Sequence, residues 1–522
     1  MLFTEYELWQ RGELDLFDFR EVPEALYTEA ISEGEKYLNN DWGVLTASMY
    51  TNMQTEKYLD AYRKRREALA SLALAEHVER KGRFLTDIID GIWAICEEST
   101  WQLPDGSGNL RDVKNPRFDT NSTRTAALLA LAVHLFRKDM PVGVKKRTLL
   151  EVRERVLNLF AEAKQLTPEN TAYTLLTCIF AEPDEDKRRR VVDKTLTCLE
   201  FFLCEYTKDG VRAKNEQSLY LWSAYIFDIL EILYNVTDQK FAVYSEPKAK
   251  FAAESIYKAH IGNGGFSEST NEEDGARIYL FGSRMDYKKL MDFGASEYLK
   301  IDEKTLPRST NLFHKLYSVK YASEIIEYGD NFDEQECGYI DSMDIFVKKT
   351  KNFSVAVKGG ASFAGNFMVY LDNEPYVVDL EKSHNLPIVN GFTQFSNTKK
   401  AVCEQKENGL TIDLTETYPK EAGVVSWVRN VEAEEKYVII TDDYELSKND
   451  DLKIILIMNE KPILSGDRIL VGDASILWDG DLALRMELVK SKHYDYVYRL
   501  VFVVKDRELK GSIRIAMKKV NK

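Results

Sequence analysis

Apolar residues recur at two different periods along this chain, and the change from one to the other divides it. Through about the first 300 positions they fall at i, i+3, i+4 spacing, which gives a helix one buried face. In Tyr58–Cys96 the stripe is Leu69, Leu72, Ala73, Leu74 and Val78. After a break at Gly82 it resumes as Ile88, Ile89, Ile92, Trp93 and Ile95. The same period predicts helices over Thr125–Phe136, Leu149–Ala163, Thr171–Phe180, Lys187–Tyr206, Leu219–Val236 and Ser245–His260, with Pro183 and the Gly264–Gly265 pair as breaks. Beyond about residue 310 the pattern shortens to strand-length runs: Phe353–Val357, Phe367–Leu371, Tyr376–Val378, Leu410–Thr417, Val424–Val431, Tyr437–Leu446 and Leu452–Met458. Ser475–Trp478, Leu484–Val489, Tyr496–Val504 and Gly511–Met517 complete them. A chain with these two textures buries a set of helical stripes in one domain and an antiparallel β-sandwich in a second. The expected domains are 1–305 and 306–522, with residues 295–320 as connector. No fixed-period repeat survives counting, which argues against a regular solenoid.

Composition narrows the partners. The 522 residues are 44% hydrophobic and 30% charged, ordinary for a globular protein, with net charge −15. An acidic surface disfavours nucleic acid, which needs a basic footprint to release counterions. No apolar run approaches the ~18 residues of a membrane span. The first residues, MLFTEYELWQRGELDLFDF, carry acids where an export signal carries bases, so the expected location is cytoplasmic. Cys96, Cys178, Cys198, Cys204, Cys337 and Cys403 are scattered and read as reduced core thiols.

Five segments carry a resemblance. They are 81–104 (KGRFLTDIIDGIWAICEESTWQLP), 226–234 (IFDILEILY), 358–379 (KGGASFAGNFMVYLDNEPYVVD), 384–394 (HNLPIVNGFTQ) and 418–443 (YPKEAGVVSWVRNVEAEEKYVIITDD). In this order they resemble the heparinase II/III-like group of polysaccharide lyases. The resemblance implies an N-terminal (α/α) incomplete toroid followed by a C-terminal antiparallel β-sandwich. It implies β-elimination on a uronic-acid-containing glycan. A base removes the C5 proton, an acid protonates the leaving glycosidic oxygen, and polar groups neutralise the carboxylate as charge builds beside it. The implied partner is an acidic oligosaccharide or polysaccharide, with no nucleic acid and no membrane.

Carried over residue by residue, the resemblance makes Tyr220 and His384 the catalytic candidates, and Trp101, Arg124, Gln165, Asn215 and Glu216 the substrate-binding ones. Tyr220 falls at the base position if a two-residue deletion follows it. Gln165 stands where the family has an asparagine. Asp119 and Asn121 accompany Arg124, whose planar guanidinium suits a sugar carboxylate. The histidine that follows the family's W-x-x-P is replaced by Asp105–Gly106, and no histidine follows Gly360. Some members hold zinc in the β domain. Here His384 and Asp379 make two ligands of the usual three or four, an incomplete set.

Bland readings stand beside these. Tyr220, Trp222 and Tyr225 form an aromatic helix of the kind found in cores. Trp93 reads as core and Trp101 as the exposed platform for a sugar ring. The run Arg63–Arg66 reads as a solvated helix face. Two other functions stay open: a carbohydrate-binding relative that has lost catalysis, and a glycoside hydrolase using paired acids such as Asp90 and Glu97.

Overall fold

Where the apolar period changes, the backbone changes from helix to strand. The computed structural model describes residues 22–51, 55–105, 107–208, 219–237, 239–241, 243–258, 275–300, 311–332, 336–341, 344–360, 363–380, 383–394, 401–491 and 496–520. The helices are α1 (Glu24–Glu35), α2 (Ala47–Thr51), α3 (Thr55–Glu79), α4 (Leu85–Cys96), α5 (Thr120–Leu135), α6 (Val142–Val152), α7 (Asn158–Phe160), α8 (Pro168–Ala181), α9 (Glu185–Cys204), α10 (Leu219–Val236), α11 (Pro247–Lys258), α12 (Gly275–Arg284), α13 (Lys288–Lys300), α14 (Leu312–Lys320) and α15 (Ala322–Tyr328). A π-helical turn, Arg153–Leu157, joins α6 to α7. The chain divides into two units, and the described part of the helical one runs through Phe332, past the expected boundary at 305/306. The reason is α14. Leu312, Phe313, Leu316, Tyr317 and Val319 all enter the helical core, so the last part of the stretch read as connector, Leu312–Lys320, is a core helix.

Caps explain where the helices begin. Asp119 accepts from the N–H groups of Asn121 and Ser122 to open α5. Thr167 and Asn170 form a reciprocal capping box at α8, with Pro168 in its first turn. Asp184 opens α9 and Asn311 opens α14 by the same means. The break at Gly82 is also built. Buried Glu76 accepts from Gly82 N at 2.6 Å and from Phe84 N at 3.0 Å, which ends α3 and aims α4.

Helices α12 and α13, which the sequence reading missed, touch backbone to backbone. A Cβ on Gly282 would lie 2.6 Å from Met291 N, and one on Gly294 would lie 2.7 Å from Tyr279 Cα. Both glycines interrupt the apolar stripe, and that is why the period is hard to see there.

The β unit holds β1 (Glu336–Ile340), β2 (Ile345–Lys349), β3 (Phe353–Lys358), β4 (Phe367–Leu371), β5 (Glu374–Val377), β6 (Ile388–Val389), β7 (Val402–Lys406), β8 (Gly409–Asp413), β9 (Val424–Glu434), β10 (Tyr437–Leu446), β11 (Leu452–Met458), β12 (Ile463–Ser465), β13 (Arg468–Val471), β14 (Ala474–Asp479), β15 (Leu482–Lys490), β16 (Tyr496–Val504) and β17 (Lys510–Lys519). A nine-stranded sheet runs β1-β2-β3-β4-β5-β11-β16-β15, with β6 paired to β11, and an eight-stranded sheet runs β12-β13-β14-β17-β10-β9-β8-β7. Val355, Val369 and Leu456 from the first sheet share one core with Trp427, Ile440 and Met517 from the second, which makes the pair a sandwich. Burial alternates along β9 and β17, as a sheet with one covered face requires.

Four of the five resembling segments meet their roles here as staples. Arg429 and Asp442 are both buried, with Arg429 Nε to Asp442 Oδ1 at 2.8 Å and Nη2 to Oδ2 at 2.7 Å. Trp427 Nε1 donates to the same carboxylate at 2.8 Å. Arg429 Nη1 reaches the carbonyls of Gly365 and Asn385 at 2.9 and 2.8 Å. Asn385 in turn donates to Phe367 O and Val378 O and accepts from Ile457 N, tying β4, β11 and the end of β5 together. Segments 358–379, 384–394 and 418–443 therefore converge on one buried arginine. In segment 81–104, Gly91 of α4 packs against Trp42 with no room for a Cβ.

Gly294→Ala should cost about 1–3 kcal/mol, because the contacting atoms are backbone and cannot turn aside. Gly143→Ala, with nothing within 4 Å and a place in the first turn of α6, should be neutral or stabilising. Urea unfolding followed by tryptophan fluorescence checks both.

Candidate functional site

One group of buried polar side chains in the helical unit gathers around α10. On that helix Asp228 faces Arg277 of α12, with Oδ1 to Nε at 3.0 Å and Oδ2 to Nη2 at 2.7 Å. His314 of α14 donates from Nε2 to Asp228 Oδ2 at 3.1 Å. Its Nδ1 accepts from Asn311 Nδ2 at 2.9 Å, and Arg277 Nη1 lies 3.4 Å away. The amide of Asn311 is fixed, since its oxygen already caps α14 by accepting from Phe313 N and His314 N. Two donor groups near Nδ1 and a carboxylate on Nε2 favour a ring proton on Nε2.

Asn311 Nδ2 also donates to the Tyr173 hydroxyl at 2.6 Å, and that hydroxyl is 3.2 Å from the hydroxyl of Tyr225. Arg277 lies over the Tyr225 ring, 5.1 Å from its centroid. Arg124 of α5, half exposed, pairs with Glu169 of α8, with Nε 2.6 Å from Oε1, near enough to act electrostatically on both tyrosines. Burial pushes the Tyr225 phenol well above its ordinary value, with Tyr173 and Glu169 adding to the rise. Arg277 and Arg124 oppose it. Burial likewise raises Tyr173, and Arg124 works against that rise. The arrangement is a pair of neutral phenols between two guanidinium groups, with a hydrogen-bond chain running from them to a buried carboxylate. It can hold a proton at the phenol, and Arg124 can present charge to an anion.

Sequence reasoning found Arg124 but missed Tyr173, Asn311, His314, Arg277 and Asp228. They come from four helices and share no spacing. His314 lay in the stretch read as connector. Tyr220, the expected base, lies on α10, five residues before Tyr225, and its side chain falls outside the described residues, as do Asn215 and Glu216. Gln165 is exposed in the loop before Thr167.

Trp101 is a correction. It is 1% exposed, its Nε1 donates to Ile95 O at 3.0 Å, and Arg155 lies over its ring 4.6 Å from the centroid. A buried indole offers no face to a sugar. Trp93, expected in the core, is 42% exposed, with Nε1 on Glu97 Oε1 at 2.7 Å. The run Arg63–Arg66 is corrected as well. Arg65 and Arg66 are buried and hold Glu98 at 2.8 and 2.7 Å. Glu98 is held by these two arginines, Glu97, just past the end of α4, accepts from Trp93, and Asp90 is exposed on α4. Behind Trp101 the loop opens a polar pocket of about 380 Å³ lined by Asp105, Asn109, Arg111, Asp112, Asn115 and Arg117 among others. Here the missing histidine is replaced by amides, acids and guanidiniums.

In the β unit His384 is oriented by Asp379, Nδ1 to Oδ1 at 2.7 Å, and Lys358 Nζ stands 3.9 Å from the other oxygen. The Phe363 ring covers the imidazole at 3.7 Å between centroids. Among the described residues His384 and Asp379 make two donors, fewer than the three or four that hold zinc. Among the described residues no group of three histidine, cysteine or acidic side chains gathers elsewhere. No described helix is long and apolar enough to cross a membrane.

No protein-family model matches the chain, and no curated protein matches it in sequence. Solved structures do match its fold. A heparinase III covers 98% of this chain and 86% of its own, at 10% identity and a TM-score of 0.56. The chondroitin AC lyase of Streptomyces coelicolor A3, solved with chondroitin sulphate, covers 97% and 81% at 9% identity and a TM-score of 0.59. The Paenibacillus xanthan lyase covers 95% and 57% at 10% identity and a TM-score of 0.61. All three are polysaccharide lyases with an N-terminal helical domain and a C-terminal β-sandwich, the fold of this chain.

Asp228→Asn should cost about 3–5 kcal/mol, since it leaves the Arg277 charge buried without its counter-ion. Arg124→Gln, at an open pair, should change stability by less than about 1 kcal/mol. Chemical denaturation of the two variants distinguishes the pairs.

Stability should also fall at alkaline pH. The buried phenols of Tyr173, Tyr225 and Tyr317 have folded values raised above the unfolded one. Their contribution is complete below about pH 10, the unfolded value. It is lost as pH rises toward the folded values, by up to about 1.4 kcal/mol per pH unit for each. Denaturation midpoints across that range, with phenolate absorbance in parallel, test it.

Proposed function

We propose that this protein is a polysaccharide lyase acting on uronic-acid-containing glycans by β-elimination. The observation that carries the reading is the tyrosine pair, Tyr173 and Tyr225, set between Arg124 and Arg277 in a fold that lyases share along its whole length.

In this reading the uronate carboxylate displaces Glu169 from Arg124 and takes its charge. That neutralisation makes the neighbouring C5 proton acidic enough to leave. A tyrosine removes the proton, a C4–C5 double bond forms, and the glycosidic oxygen departs with a proton returned from a phenol. Tyr225 is assigned this role in place of Tyr220: as Glu169 moves aside its phenol opens to water and gives up its proton, Arg124 and Arg277 hold the resulting phenolate, and the phenolate takes the C5 proton and returns it to the departing glycosidic oxygen. Tyr173, Asn311 and His314 hold the phenol and its hydrogen-bond chain in place. The polar pocket beyond Trp101 supplies hydrogen-bonding groups for sugar hydroxyls. His384 remains the candidate from the β unit.

The test is ultraviolet absorbance of the unsaturated product on a panel of heparan, chondroitin, hyaluronan, alginate and xanthan substrates. Wild-type protein should raise it on at least one. Tyr225→Phe and Arg124→Gln should each lose roughly 10²–10³-fold in turnover. Tyr220→Phe should retain turnover. An unchanged rate in Tyr225→Phe overturns that assignment. No absorbance rise on any substrate, or reducing ends released without it, overturns the lyase reading.

A further inference from the structure

Among the described residues the β unit has four sheet edges, and three are short: β1 and β7 have five residues each and β12 has three. Short edges are a common protection against unwanted strand pairing. The fourth, β15, is different. It has nine residues, LALRMELVK, and pairs with β16 from Leu482↔Val504 to Lys490↔Tyr496 without a register shift. It ends its sheet, so its outer edge pairs with no strand among the described residues. No proline or bulge interrupts it. Met486 is 50% exposed and Leu488 60%, and Tyr496, across from Lys490, is 53% exposed.

The strand is complementary to itself. In an antiparallel pairing of two β15 strands about a two-fold axis at Met486, Arg485 faces Glu487 of the other copy, and Glu487 faces its Arg485. On the opposite face Leu484 meets Leu488 and Met486 meets Met486. Centring the pair on Arg485 or Glu487 instead sets like charges opposite each other, which is unfavourable. Pairings with an odd offset place Arg485 or Glu487 opposite apolar side chains of the other face. Of the registers centred on Arg485, Met486 and Glu487, the one at Met486 sets opposite charges together on one face and leucine and methionine together on the other. Glu487 already accepts from Arg499 Nη1 of β16 at 3.1 Å, so the second copy's Arg485 would extend a row of alternating charge.

We infer that β15 is an isologous interface through which two copies of this chain join their nine-stranded sheets edge to edge. The partner is a second copy because the charge order and the apolar order are symmetric about the same residue. A different protein would have no need of that symmetry.

Sedimentation velocity on the full chain across a concentration series tests this. Wild-type protein should dimerise. Arg485→Glu and Glu487→Arg should each weaken the dimer by roughly ten-fold, since two like-charge pairs replace two opposite ones. The double exchange R485E/E487R restores opposite charges and should restore the dimer. Circular dichroism confirms that each variant folds. A wild-type protein that stays monomeric at tens of micromolar, single variants that dimerise as well as wild type, or a double exchange that fails to rescue each overturns the interface.

Discussion

A charge taken out of water must find its opposite and have its remaining hydrogen bonds met, and each unit of this protein is organised around one such pair. In the helical unit it is Asp228 with Arg277, and in the β unit Asp442 with Arg429. Neither carboxylate leaves an oxygen unused, and Arg429 adds two backbone carbonyls to its carboxylate partner. An unpaired ion in either place would cost several kcal/mol, so the surrounding elements have few alternative positions. Helices α10, α12 and α14 are located relative to one another by the first pair. Strands β9 and β10 and the loops around Gly365 and Asn385 are located by the second.

This explains what the five resembling segments encode. Asn385, Trp427, Arg429, Gly91 and Glu98 all serve the architecture. None of them presents a reactive atom. A sequence can therefore keep the marks of a fold shared with lyases while its chemical positions drift. It also explains why the domain order was legible. Period and turn residues placed Tyr437–Leu446 and Leu452–Met458 at their observed bounds, because polar turn residues mark their ends.

The site was far less legible, for a physical reason. Local patterns report local geometry, whereas Arg124, Glu169, Tyr173, Tyr225, Arg277 and His314 meet only after five helices have packed. Burial, too, is set by distant partners. Nothing within the run Arg63–Arg66 shows that two of its cations turn inward, because the acid they hold, Glu98, lies more than thirty residues away. The two tryptophans exchanged their expected places for the same reason. Trp101 is enclosed by Arg155, which arrives from the π-helical turn, while Trp93 on α4 stays partly exposed beside Glu97.

The glycines between α12 and α13 have a consequence for the tyrosine cluster. Arg277 rides on α12, and α12 is seated on α13 by main chains that approach closely at Gly275, Gly282 and Gly294. Contact of this kind is steep in distance and indifferent to dissolved salt. The alignment of Arg277 with Tyr225 should thus hold from dilute buffer to brine, and yield instead to changes in molecular volume, such as those hydrostatic compression imposes.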